Sequence, residues 1–308
     1  MKNKRATHLA KTIELNRMRT DFNATATGSY LKLLISLILL INLVFLPFPS
    51  DVLSRPVTSD QIDEITAKIE KDPNNAELYL RRGELLRGLK KWDAAFVDFE
   101  RARSLDNELE VVDLATGRLF LEAGWYRAAG FYLARYLTFR PDHPDALLLM
   151  ARCLAKQGKG EEAGEFYNKF LGITRNPKPD YYLERAEAFV SAGMKPEALK
   201  GLDEGQDRFG SVTSLQKMAI DIELGDKNYD AALSRINSLI RSSPQKERWL
   251  LLRGETLEKE GRIPEAKESY DEALKNLRSR PPNKRGTAYF LDLEKEIRAA
   301  IRHLENKA

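Results

Sequence analysis

Residues 254–273 read GETLEKEGRIPEAKESYDEA. Gly254, Leu257, Gly261, Ala266, Tyr270 and Ala273 set very small side chains among large apolar ones. Two helices read through them, one over about 248–260 and one over about 263–277, with Gly261 in the turn. Helix axes approach closely only where the facing side chains are short. The small residues therefore mark the contact line, and Leu257 and Tyr270 fill the space beside it. Such a hairpin has one apolar face more than it can cover, so it requires neighbours of its own kind.

The neighbours are present. The small residue of the first helix recurs at Gly83, Gly117, Ala151, Ala186, Ala219 and Gly254, at intervals of 34, 34, 35, 33 and 35 residues. The alanine of the second helix recurs at Ala95, Ala129, Ala163, Ala198, Ala232 and Ala266, at intervals of 34, 34, 35, 34 and 34. Two registers in phase over six copies are not a property of unrelated amphipathic helices, which have no reason to keep a fixed period.

The pattern resembles the tetratricopeptide repeat family. The first copy matches with Tyr79, Gly83, Leu86, Ala95, Phe99 and Ala102, and the second with Gly117, Phe120, Ala129 and Pro141, although Asp113 and Tyr136 stand where the family prefers other types. The third carries Leu147, Ala151, Leu154, Ala163 and Tyr167; the fourth Tyr182, Ala186, Phe189, Ala198 and Leu202; the fifth Leu215, Ala219, Ile222, Ala232, Ile236 and Pro244. The resemblance implies an all-α, right-handed superhelical solenoid of about six helix-turn-helix repeats over residues 76–280. The fold implies little about function, because the family is a binding scaffold with many unrelated partners.

The formal charge of +4 is not spread over the 308 residues. Residues 1–30 hold Lys2, Lys4, Arg5, Lys11, Arg17 and Arg19 against Glu14 and Asp21, so the remainder sums to zero. A neutral array lacks the basic stripe that neutralises phosphates, which argues against a nucleic-acid partner. Residues 1–29 read as a disordered basic tail with little apolar content. Residues 30–48 read as a membrane-spanning signal anchor. From Leu33 to Phe48 the only polar side chains are Ser36 and Asn42, and with Tyr30, Leu31 and Lys32 the segment nears the length that spans a bilayer core. Six basic residues before it, against Arg55 alone just after it, orient the amino terminus to the cytoplasm and the repeats to the outer, periplasmic side. A cleaved signal peptide is the competing reading, but the basic region is long and no Ala-x-Ala follows. A cytoplasm-facing array would require the charge bias to be overruled.

Residues 49–57, with Pro49 and Pro56, form a linker. Residues 58–75 form a capping helix that opens at Thr58 and Gln61, shows Ile62, Ile65 and Ile69 on one face, and ends in the turn Asp72-Pro73-Asn74-Asn75. Residues 281–308 form a terminal helix over about 287–306. Its apolar stripe of Tyr289, Phe290, Leu293, Ile297, Ala300, Ile301 and Leu304 suits either a cap on the last repeat or a dimer contact.

No constellation for catalysis appears. His8, His143 and His303 share no segment and no metal-ligand spacing. Asp142-His143-Pro144-Asp145 has the look of an acid-base cluster, yet a turn entering a helix explains each residue. Cys153, the single cysteine, falls on a helix face that suits core packing. No phosphate loop or nucleophile elbow is present, so neither an enzyme nor a cofactor is indicated.

What remains is the groove that the resemblance implies along the first helices of the hairpins. Its fifth position holds Leu80, Leu114, Leu148, Leu183, Gln216 and Leu251; its ninth holds Glu84, Arg118, Arg152, Glu187, Ile220 and Glu255. A leucine stripe would thus lie beside a basic centre, to which Lys156 adds, flanked by acidic ends. Such a wall suits an extended or helical protein or peptide segment with apolar anchors and a central acidic residue, gripped by Arg118 and Arg152. Family members that grip the carboxyl tail of heat-shock chaperones carry Lys and Asn at the fifth and ninth positions of the first helix. Leu80 and Glu84 stand there, which argues against that activity. The layout is similar to periplasmic repeat proteins with one amino-terminal anchor that serve envelope assembly or quality control. A regulatory or accessory subunit of a membrane enzyme complex is the alternative.

The register makes a direct test. Ala163→Glu places charge and volume where helices meet and should cost about 3 kcal/mol or more in a denaturant melt. A melting curve matching the parent would show the register to be wrong.

Overall fold

The computed structural model describes residues 59–306, which form fifteen α-helices and no strand. Helix α1 (Ser59–Lys71) precedes six hairpins. These are α2 (Ala76–Gly88) with α3 (Trp92–Leu105), α4 (Val111–Glu122) with α5 (Tyr126–Phe139), and α6 (Pro144–Lys156) with α7 (Gly160–Ile173). They continue with α8 (Pro179–Ser191) and α9 (Lys195–Phe209), α10 (Thr213–Gly225) and α11 (Tyr229–Ser242), and α12 (Glu247–Glu260) and α13 (Ile263–Arg278). One short turn of helix, α14 (Pro282–Arg285), leads to α15 (Ala288–Glu305). The basic tail, the apolar segment at 30–48 and the linker lie outside the described residues. Among the described residues no helix is long and apolar enough to cross a membrane.

Both small-residue registers lie at helix contacts. Ala95, Ala129, Ala163, Ala198, Ala232 and Ala266 are all fully buried. A methyl carbon at Gly254 would lie 2.2 Å from the Tyr270 ring, one at Gly83 2.5 Å from Phe99, and one at Gly117 2.7 Å from Leu133. Each hairpin turn also needs one residue in the left-handed region. Gly124, Gly158, Gly193 and Gly261 fill that position in four repeats, and Lys90 and Lys227, both at φ 59°, fill it in the other two. His143 is the N-cap of α6, its Nδ1 accepting from the Ala146 amide at 3.3 Å, with Pro144 in the first turn. Its cluster is therefore a helix start.

Asp113 and Tyr136, the departures in the second repeat, are both buried. Asp113 accepts from Arg103 at 2.7 Å and from both sides of the Arg135 fork, so the acid bridges α3, α4 and α5 in place of an apolar contact.

The ends are covered. Ile65 and Ile69 of α1 are buried, and Arg82 of α2 donates to Thr66. Phe290, Leu293, Ile297 and Leu304 of α15 are buried in the core formed with the last repeats. Four residues of the stripe considered for dimerisation are thus covered within the chain, while its Tyr289, and Leu291 beside it, are exposed.

Along one side, α2 meets α4, α4 meets α6, and α8 meets α10. Successive second helices of the hairpins do not approach to a similar degree. The first helices therefore line the inner side of the curve. The apolar core is interrupted once. Leu215, Ala219 and Ile222 of α10 face the core of the first four repeats, whereas Ile220 joins a second core with α11, α12, α13 and α15. Arg235 of α11 spans the seam, donating to Glu223 of α10 at 2.7 Å and to Asp203 of α9 at 2.6 Å.

Gly160 and Gly172 of α7 give opposite expectations. A methyl at Gly160 would lie 2.4 Å from the Ala188 carbonyl oxygen and 2.3 Å from Ser191 Oγ, so Gly160→Ala should part α7 from α8 and lose about 1–3 kcal/mol. Gly172 meets nothing within 4 Å, and Gly172→Ala should gain up to about 1 kcal/mol. Chemical denaturation of both variants checks the pair.

Candidate functional site

The groove expected from the sequence is only partly open. Leu114, Leu148 and Leu251 are 7%, 9% and 2% exposed, covered by adjacent helices, while Leu80 and Leu183 are half-buried. Gln216 and Ile220 are buried. The leucines are thus mainly part of the core, and the continuous apolar wall is corrected to a charged surface with local openings. Among the charged candidates, Glu84 pairs with Arg87 of its own helix at 2.8 Å. Arg118 lies 3.9 Å from Asp145, while Glu187 and Glu255 are exposed.

The structure brings Arg152, Lys156 and Glu187 together in a cleft of about 610 Å3. Leu121 and Glu122 come from the end of α4, Arg152, Ala155 and Lys156 from α6, and Glu184, Glu187, Ala188 and Ser191 from α8. Tyr126 of α5 and Tyr167 of α7 complete the lining. The opening lies between α6 and α8, which do not meet as α4 and α6 do. An ion pair takes the place of that contact. Arg152 donates from Nε and Nη2 to the two oxygens of Glu184, each at 2.8 Å, and the Tyr167 hydroxyl donates to Glu184 Oε2 at 2.7 Å. Arg152 also lies over the Tyr181 ring at 5.9 Å. Its bidentate grip, expected for a partner's carboxylate, is taken by its own chain.

Burial works to raise the Glu184 carboxyl, but the hydrogen bonds from Arg152 and Tyr167 outweigh it and hold the group below the ordinary carboxylate range. The same contact keeps the Arg152 guanidinium charged, and burial together with Glu184 pushes the Tyr167 hydroxyl well above the usual tyrosine range. At neutral pH the wall is a fixed ion pair beside a neutral phenol. Glu122 is engaged by Arg87 across the repeat boundary at 2.5 Å. Lys156 stands exposed at the rim.

Cys153 lies behind this wall. It is buried, donates to the Tyr126 carbonyl at 2.9 Å, and has its thiol pushed up by burial, which makes it a packing residue rather than a nucleophile. No three His, Cys, Asp or Glu side chains among the described residues converge as metal ligands.

The sequence pointed to Arg152, Lys156 and Glu187 but missed Glu184, Tyr126 and Tyr167. Glu184 lies 32 residues from Arg152, close to one repeat period. A scan for opposite charges one period apart on neighbouring first helices would have found the pair.

Comparison with known proteins supports the tetratricopeptide repeat assignment. Residues 120–186 and 218–283 each match a tetratricopeptide repeat model. The TPR repeat-containing protein YpiA of Bacillus subtilis (strain 168) is 26% identical over 208 residues, 67% of this chain. The match spans 48% of that protein, so the chain covers about half of its relative's length. Among solved structures, Naa15/Naa10 bound to HypK-THB aligns with a TM-score of 0.55 at 14% identity, over 82% of this chain and 38% of that one, a likeness of fold alone. A tetratricopeptide repeat protein from Parabacteroides merdae ATCC 43184 aligns at a TM-score of 0.46 and 16% identity, over 77% of this chain and 91% of that chain.

Because the Glu184 carboxyl is lowered in the folded state, its contribution is complete above the ordinary carboxylate value. It is lost as pH falls through the lowered one. Glu184→Gln should therefore lower the melting temperature at neutral pH and flatten its decline in acid. An unchanged acid limb in melts taken across the carboxylate range would refute the linkage.

Proposed function

We propose that the chain is a membrane-tethered scaffold that holds a segment of a partner protein in the cleft between α4, α6 and α8. The observation that carries this reading is the cleft itself. It opens on the inner, first-helix side of the array where two neighbouring helices stand apart, and an ion pair rather than apolar packing forms its wall. Its polar parts are pre-organised, since Arg152, Glu184 and Tyr167 satisfy one another without a ligand. Tyr126, Leu121 and Ala188 offer apolar contact, and Lys156 offers a cation at the rim. A segment with a small apolar anchor followed by an acidic side chain fits this lining.

The tether is the apolar segment at 30–48. The basic tail before it favours repeats on the outer side of the membrane. There the scaffold would serve envelope assembly or quality control by holding a client close to the bilayer.

Capture of an acidic peptide by the full chain tests the cleft. Lys156→Glu should weaken capture at least about tenfold, as loss of a charge-assisted contact implies, while leaving the melt unchanged because Lys156 is exposed. Unaltered capture would place the partner elsewhere. A reporter fused after Ala308 should be open to protease added outside spheroplasts. Protection until lysis would invert the topology.

A further inference from the structure

Tyr126 lines two hollows at once. One is the cleft between α4, α6 and α8. The other, of about 710 Å3, lies at the edge of the array where the hairpins turn. Trp125, Tyr126 and Arg127 line it from the start of α5, and Gln157 and Lys159 from the turn between α6 and α7. On that second wall Lys156 belongs to the cleft and the next residue, Gln157, to the edge hollow, so the two spaces adjoin on both sides. Their charges differ. The cleft sets Glu122, Glu184 and Glu187 among its cations, whereas the edge hollow holds Arg127 and Lys159 and no carboxylate.

The walls of the edge hollow are set before anything binds. Trp125 stacks one face on Phe120, with ring centroids 5.4 Å apart, and is still 55% exposed. Gln157 donates to the Tyr126 carbonyl oxygen at 3.1 Å, the same oxygen that accepts from Cys153. Arg127 is exposed and makes no ion pair among the described residues. It does not serve its own helix either. The other five second helices carry an acidic residue in the first turn, which suits the helix dipole, and α5 carries none there. Lys159 meets Glu162 at 3.1 Å, but both stand about half in solvent, and such a pair holds its members loosely.

We propose that a partner segment held in the cleft continues over Tyr126 and seats a second anchor in the edge hollow, an aromatic side chain next to a carboxylate. The inference rests on the cleft reading of the proposed function and adds one anchor to its ligand. Charge complementarity and continuity with the cleft choose this occupant. The open face of Trp125 offers stacking to an aromatic ring. A carboxylate beside that ring finds two cations and no competing acid in the lining, and a basic side chain in its place is repelled. The segment crosses from one hollow to the other in extended form, because the two adjoin at a single side chain. Two anchors on one segment multiply, since the second binds at the effective concentration that the short chain between them sets.

Fluorescein-labelled peptides titrated into the full chain, read by anisotropy, test the second anchor. Each peptide carries Val-Glu for the cleft, joined through a linker of about one to four glycines, in either order, to Tyr-Glu, Tyr-Lys or Ala-Gln. The best Tyr-Glu peptide should bind at least about tenfold tighter than its Tyr-Lys and Ala-Gln counterparts. Trp125→Ala and Arg127→Glu should each remove that advantage and leave the Ala-Gln peptides unchanged, whereas Lys156→Glu should weaken every peptide. Arg127→Glu keeps the fold, because the side chain is exposed and a carboxylate suits the start of a helix, so its effect is not one of unfolding. Equal binding of the three peptide types, still weakened by Lys156→Glu, overturns the second anchor and leaves the cleft standing. A Tyr-Lys peptide as tight as its Tyr-Glu counterpart overturns the carboxylate partner. A Tyr-Glu advantage that survives both Trp125→Ala and Arg127→Glu places the anchor elsewhere and also overturns the proposal. Should no peptide bind, or Lys156→Glu change nothing, the cleft reading falls, and this inference with it.

Discussion

The closeness of two helix axes within each hairpin is the constraint from which the rest of the structure follows. Where Gly254 faces Tyr270 or Gly83 faces Phe99, there is no room for one more carbon atom. The close approach lets the large residue of one helix lie flat against the backbone of the other. It also sets the distance at which the next hairpin docks. A repeat array multiplies any error in that distance, so both small-residue registers persist through six copies. The left-handed residue that ends each first helix serves the same purpose, by returning the chain at a fixed angle. Lys90 and Lys227 hold that conformation without being glycine, at a backbone cost of about 1 kcal/mol each.

Arginine is the second organising element. Arg82 pairs with Asp98, Arg185 with Glu204, Arg253 with Glu272 and Arg280 with Glu247, in most cases between helices rather than along one. Arg185 is nearly fully buried and lies where Gly201 lacks a side chain, its guanidinium donating to the Gly201 carbonyl oxygen at 2.9 Å. These planar donors fasten helix to helix at the margins of the core, where geometry leaves gaps too polar for leucine. They also account for an array rich in charge yet neutral in sum, since its cations were placed for its own carboxylates.

The sequence made the repeats legible because their signal is local and periodic. Alanine and glycine that recur in phase with the repeat report a contact line, and six copies average out the exceptions. The groove was less legible. Leu114 and Leu148 stand at groove positions, yet whether a leucine there is wall or core depends on how closely the next hairpin docks. No single repeat carries that information. Arg152 was readable as a cation but not as one already held, because Glu184 belongs to the next repeat. The seam in α10 was invisible for a similar reason. Leu215, Ala219 and Ile222 keep the normal pattern, and only the packing shows that they and Ile220 serve different cores.

That seam makes α10 a shared wall. Leu215, Ala219 and Ile222 close the core of the first four repeats, Ile220 opens the core of the rest, and Arg235 ties α11 to α10 and α9 at the same place. A single helix therefore answers to two cores, and its orientation has to satisfy both at once. The cleft between α4, α6 and α8 is lined wholly by helices that belong to the first of them.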